Sequence, residues 1–259
     1  MELDGEVAVV TGAGQGIGQA VAIELAEAGA AVVVADRQED SARATATDLR
    51  NAGFQAIGIG VDVTRPADRA AMVHSALDGF GRIDILVNNA GIYGEMSPLE
   101  ITEEHWDTIM GVNAKAVVFC AQAVLPSMLA RGRGAIVNVS SIAGKGGAAH
   151  GMAYAASKAA VISVTSSLAK AHARDGIRVN CVCPGFVDTA MWAAIDQEVG
   201  VEQLGKQPRE LWNELTATIP LGRPAQPVDI ARVVCFLASP GADYMTGQAI
   251  NVTGGLIMH

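Results

Sequence analysis

Aromatic side chains supply only 4% of the 259 residues and charged ones 17%, against about 25% charged in a typical globular chain. So few charges exclude an intrinsically disordered chain and a long solvated coiled coil, and fit elements buried on both faces. With rings this scarce, the 50% of hydrophobic residues must build a core from Ala, Val, Ile and Leu. Basic charge is short as well. The formal net charge is −9 and no basic stripe is visible, so nucleic acid is excluded as a partner. The same field disfavours docking to an acidic protein. Long hydrophobic runs are missing: the longest uncharged stretches contain Pro or Gly and fall short of the ~20 residues of a membrane span. There are four cysteines, Cys120, Cys181, Cys183 and Cys235, all inside apolar runs. Cys181 and Cys183 point the same way on a strand, but no second pair completes a zinc site, so buried thiols in a reducing compartment are expected. His74, His105, His150, His172 and His259 are scattered without ligand spacing, so no metal is expected either. The start, Met1-Glu2-Leu3-Asp4, carries acid where a signal peptide carries base, which points to the cytoplasm.

What is present is a strict alternation. Apolar, β-branched runs at 7–10, 31–35, 56–63, 83–87, 135–140, 178–183 and 249–252 read as strands. Helical spacing at 16–28, 39–51, 67–79, 103–130, 152–174 and 227–238 separates them. Alternating strands and helices predict an α/β, doubly wound parallel sheet with helices on both faces. No repeat or linker divides residues 1–259, so one domain is expected. The segment 189–220 breaks the rhythm. It mixes Met191 and Trp192 with charges, and its length and apolar content predict a flap over a binding site.

The first strand runs into Thr11-Gly12-Ala13-Gly14-Gln15-Gly16-Ile17-Gly18. The spacing of Gly12, Gly16 and Gly18 is G-x-x-x-G-x-G. Placed between a strand and a helix, it lets backbone approach a pyrophosphate and aims the helix N–H groups at it. Asp36 ends the second strand about 20 residues on, where an acid can accept the adenosine ribose hydroxyls. A 2′-phosphate there would meet a carboxylate. Charges about 4 Å apart at an effective dielectric near 20 repel by about 4 kcal/mol per unit pair, so NAD is expected over NADP. Arg37, next in the chain, could pair with that phosphate by turning inward.

Tyr154 and Lys158 are four apart on a predicted helix and share a face. An ammonium about 5 Å from a phenol is expected to lower its pKa by about two, toward the range where acid–base catalysis works. With Asn88-Asn89-Ala90-Gly91, Asn113, Ser141 and Pro184-Gly185, these motifs resemble the short-chain dehydrogenase/reductase family over essentially the whole chain. The resemblance implies a single Rossmann-type domain and NAD-linked hydride transfer between an alcohol and a ketone. It implies that Tyr154 exchanges the proton, Ser141 hydrogen-bonds the substrate oxygen, and Lys158 tunes Tyr154 and binds the nicotinamide ribose. It further implies that Asn113 holds a water linking Lys158 to solvent. Gly12, Gln15, Gly16, Ile17, Gly18, Asp36 and Arg37 would bind the cofactor. So would Asp62 and Val63 at the adenine, Asn89, Ala90 and Gly91 at the adenosine ribose, and Pro184, Gly185, Val187 and Thr189 at the nicotinamide. Asp188 has no assigned place.

The flap (Asp188 to Asp196) and the tail (Ala242 to Gln248) are similar to bacterial sorbitol/polyol and meso-butanediol (acetoin) dehydrogenases. That implies a small polyol, vicinal diol or acyloin as partner, held by Ser141, Tyr154, Met191 and Trp192. Trp192 either closes the pocket or simply packs the flap. The alternative is a 3-oxoacyl-[acyl-carrier-protein] reductase-like ketoreductase using NADPH, for which Arg131, Arg133, Lys170 and Arg174 are candidate docking cations. A non-catalytic NAD-binding regulator is disfavoured by the full Asn113, Ser141, Tyr154 and Lys158 set. Family members are commonly homotetramers.

Overall fold

A computed structural model describes residues 3–149 and 151–259. Met1, Glu2 and His150, all used in the sequence reading, lie outside the described residues. Seven parallel strands form the sheet: β1 (Val7–Thr11), β2 (Ala31–Asp36), β3 (Ala56–Gly60), β4 (Ile85–Asn88), β5 (Gly134–Val139), β6 (Ile177–Pro184) and β7 (Ala249–Val252). Their order is β3-β2-β1-β4-β5-β6-β7. It reverses between β1 and β4, the point at which doubly wound sheets bind ligands at the carboxyl ends of their strands.

Helices cover both faces because the strands are apolar on both. On one face Ala8, Val10, Val32 and Val34 pack against α1 (Gly16–Glu27), α2 (Glu39–Asn51) and α10 (Pro227–Ala238). On the other, Val9, Val33, Leu86 and Ile136 meet α3 (Pro66–Phe80), α5 (Ala116–Arg131) and the far end of α7 (Met152–His172). The four cysteines are buried and free.

Three elements depart from the sequence reading. The third strand stops at Gly60 rather than 63, and Asp62 is held as a turn by Thr64 and Asp68. The predicted helix over 103–130 is α4 (Glu103–Met110), a π-helical turn (Gly111–Lys115) and α5. In that turn Ala116 N–H donates to Gly111 O, one residue further back than in an α-helix. This rod extends beyond its uncharged stretch, residues 116–130, which contains Pro126 and falls short of the ~20 residues of a span. Glu103–Arg131 continues through Gly111 and Pro126, and by length and composition it could cross a membrane. Here it is a core helix, with Cys120, Ala121, Val124 and Met128 buried beside the sheet. Finally, a short α6 (Ala143–Gly146) occupies part of the loop after β5.

Candidate active site

A cleft of 1240 Å³ opens over the carboxyl ends of β1 and β4. It exceeds the roughly 300–1,000 Å³ of a pocket for one drug-sized ligand, leaving room for a dinucleotide and a substrate together. Gly12 and Gly16 turn the chain with φ of 63° and 59°, where other residues are strained. A Cβ at Gly12 would stand 2.8 Å from Ala90 Cα. Gln15 leaves the N-terminus of α1 without a side-chain cap, and Gln15, Gly16 and Ile17 line the cleft. An anionic group fits that cradle.

Asp36 lies at the end of β2 with both carboxylate oxygens fixed. Oδ2 accepts from Gly14 N–H and Oδ1 from Gln38 N–H, each at 2.9 Å. Asn89 braces the neighbouring turn: Nδ2 donates to Thr11 O and Gly12 O, and its N–H to Thr11 Oγ1.

The second cluster sits where β5, β6 and α7 converge. Ser140 and Ser141 both line the cleft; Ser140 donates to Lys158 O at 2.7 Å, and Ser141 Oγ accepts from Ala143 N–H. Lys158 is buried beneath the site, with Nζ 5.6 Å from the Tyr154 ring centroid and 2.9 Å from Val139 O. Beneath it stand Cys181 and Cys183: their mutual interaction, with burial, pushes Cys181 up, and the same interaction holds Cys183 below its usual value against its own burial.

The charges correct one expectation. Burial pushes the Tyr154 phenol above its ordinary pKa, and the Ser141 hydrogen bond pulls only partly back. Burial also pushes Lys158 down to about 8. Desolvation of both groups therefore outweighs the ammonium–phenol attraction in the protein alone. The acidic phenol is not a property of the pair by itself.

Of the residues read from sequence as catalytic, cofactor-binding or substrate-binding, all line the cleft except Gly18 and Asn113. Gly18 is buried, and a Cβ there would land on Gly12 O and Asn89 Nδ2. Its lack of a side chain lets α1 close onto the β1 turn. Asn113 is buried in the π turn. Its Oδ1 accepts from Ile92 N–H, and Nδ2 donates to Ile92 O and Ser157 Oγ. The side chain thus locks the loop after β4, both of its amide N–H groups being engaged. Lining residues missed from sequence include Tyr93, two places after the Asn-Asn-Ala-Gly run, Phe186, directly after Pro184-Gly185, and Ile257. The first two were signalled by nearness to motifs; Ile257 carried no signal.

The flap is helical. It comprises α8 (Ala190–Ile195), a π segment (Asp196–Gln203) and α9 (Glu210–Thr216). Its neck is closed by a bridge between Val187 and Ala225, with Asp188 N–H donating to Ala225 O and Ala225 N–H to Phe186 O. Buried Asp196 accepts from Arg209 N–H and Trp212 N–H. Arg209, at φ 67°, stacks on Trp212 and reaches Asp188 at 3.7 Å, which places that residue as a tether. Trp192 lines the cleft and packs between Phe186 and Trp212, at centroid distances of 5.0 and 5.4 Å.

Comparison with known proteins agrees with this architecture. A family model described as short chain dehydrogenase matches residues 6–200. The chain belongs to that family, a class of oxidoreductases. The 3-oxoacyl-[acyl-carrier-protein] reductase FabG of Vibrio cholerae is 40% identical over 258 residues, covering 100% of both chains. A sorbitol dehydrogenase of Cereibacter sphaeroides is 40% identical over 257 residues, covering 98% of each. The crystal structure of an actinorhodin polyketide ketoreductase variant with NADPH superposes with a TM-score of 0.93 at 40% identity, covering 97% of each. The chain is thus similar to ketoreductases and to a polyol dehydrogenase at the same level.

Proposed function

We propose that the protein interconverts a small secondary alcohol (a polyol, vicinal diol or acyloin) and its ketone with NAD(H). Fixed Asp36 is the observation that carries the coenzyme reading. Its two backbone hydrogen bonds hold the carboxylate at the cleft wall, where a 2′-phosphate would be repelled. Gly12, Gln15, Gly16 and Ile17 would hold the pyrophosphate, Asp62 and Val63 the adenine, and Pro184, Gly185, Val187 and Thr189 the nicotinamide. A bound nicotinamide dinucleotide supplies the hydride chemistry. Tyr154 moves the proton at the substrate oxygen, and Ser141 orients that oxygen. Lys158 lies beneath the phenol and favours its ionised form once a second positive charge joins it. Trp192 and Met191 close the substrate side.

The second reading, reduction of a carrier-bound 3-oxoacyl thioester with NADPH, is favoured by the FabG likeness and by the NADPH in the similar ketoreductase structure. Two of its four candidate docking cations are engaged elsewhere. Arg131 pairs with buried Asp84 at 3.3 Å and Arg133 with Glu6 at 2.6 Å. The deciding experiment measures kcat/KM on polyols, diols and acyloins against 3-oxoacyl thioesters, with both coenzymes. A preference for thioester and NADPH overturns the proposal.

A further inference from the structure

The wall facing the proposed proton donor holds a second phenol. The Tyr93 ring packs edge-on against Tyr154 with centroids 5.1 Å apart, and both line the cleft. Tyr93 is held firmly. Asn113 clamps both sides of the adjoining Ile92 peptide, and Met96 bridges to Gly151 at the start of α7. The Tyr93 hydroxyl donates its single proton to Glu95 Oε2 at 3.1 Å. Burial, Glu95 and the flap's Glu198 all push its pKa up, so it stays a neutral phenol. What it offers the cleft is therefore the lone pairs of Oη, backed by a carboxylate.

From this geometry we infer that Tyr93, oriented by Glu95, is a specificity residue that accepts a hydrogen bond from a second hydroxyl of the substrate. The inference rests on the polyol reading above and sharpens it. A vicinal diol or acyloin brings a hydroxyl donor near the reacting carbon. A 3-oxoacyl thioester brings a carbonyl, which can only accept, so oxygen would face oxygen there. The negative field of Glu95 and Glu198 acts in the same sense against anionic substrates.

The test compares kcat/KM for 2,3-butanediol and 2-butanol at saturating coenzyme, in the wild type, Tyr93→Phe and Glu95→Gln. Tyr93→Phe keeps the ring that packs on Tyr154 and removes only the oxygen. The wild type is expected to favour the diol, and Tyr93→Phe to cut the diol-to-monoalcohol ratio by about 10- to 100-fold. Glu95→Gln keeps an acceptor for Tyr93 but loses the charge, and should cut it less. A Tyr93→Phe ratio within about two-fold of wild type overturns this inference alone, since that is too little for a lost hydrogen bond. Turnover of neither alcohol by the wild type overturns the polyol reading and this inference with it.

Discussion

Replacing Asp36 by Asn removes one charge while keeping the size of the side chain. A carboxylate 4 Å from a phosphate opposes it by ~1 kcal/mol per unit charge in bulk water and ~4 kcal/mol at an effective dielectric of 20. Asp36 is half-buried at the cleft wall, so about 2 kcal/mol applies, or about 30-fold in kcat/KM for NADP. NAD should lose about 1 kcal/mol, roughly five-fold, as charge-assisted bonds to the ribose become neutral ones. The NAD-to-NADP ratio is therefore expected to fall by about 150-fold. A structural cost accompanies it. The two carboxylate oxygens take Gly14 N–H and Gln38 N–H, whereas an amide can accept with only one end. One donor loses its partner, at about 1–2 kcal/mol of stability. Initial rates against each coenzyme at a fixed alcohol, with a thermal melt, read all three effects. A wild type that already prefers NADP, or a ratio unmoved in Asp36→Asn, refutes the electrostatic argument.

Three further outcomes are expected. Tyr154→Phe should lower kcat by about 10²- to 10⁴-fold while coenzyme affinity, read by fluorescence quenching, stays within a few-fold; near-normal turnover would remove Tyr154 from the chemistry. Gly18→Ala should cost about 1–3 kcal/mol by forcing a methyl onto the Gly12 carbonyl, and an unchanged melting temperature would show that α1 can back away. Burial holds Lys158 near 8, below its ordinary value, so the unfolded chain binds more protons between about pH 8 and 10.5. Stability of the coenzyme-free protein should then gain up to ~3 kcal/mol from this group as pH rises through that window. Denaturant titrations of Lys158→Met should lack that gain; an equal gain in the variant would locate it elsewhere.

Strands and most helices were legible because a sheet buried on both faces writes itself as uninterrupted β-branched runs, as at Ala31–Asp36. What escaped reading was set by hydrogen bonds and burial that no run of residue types announces. The apolar Val61 and Val63 look like strand, yet the ladder ends at Gly60 because the turn around Asp62 finds its hydrogen bonds in Thr64 and Asp68. The π turn at Asn113 has no composition signature; it is fixed by the Ile92 peptide on another loop. Tyr154 shows the same limit in its electrostatics. Spacing revealed the nearby cation, but only the fold reveals how completely both groups leave water. Gly18 belonged visibly to the glycine cluster, although its work of close packing depends on Asn89 from β4's far end.

The closed neck between Val187 and Ala225 divides the labour of the molecule. Everything between those two points returns to where it left, so substitutions in the excursion can reshape the recess above without disturbing the strand ends below. A lineage can thus change which compound it accepts by editing one loop while inheriting its proton-handling parts intact. Relatives equally distant from this chain, one named for a sugar alcohol and another for a carrier-bound acyl group, are what such a division of labour leaves behind.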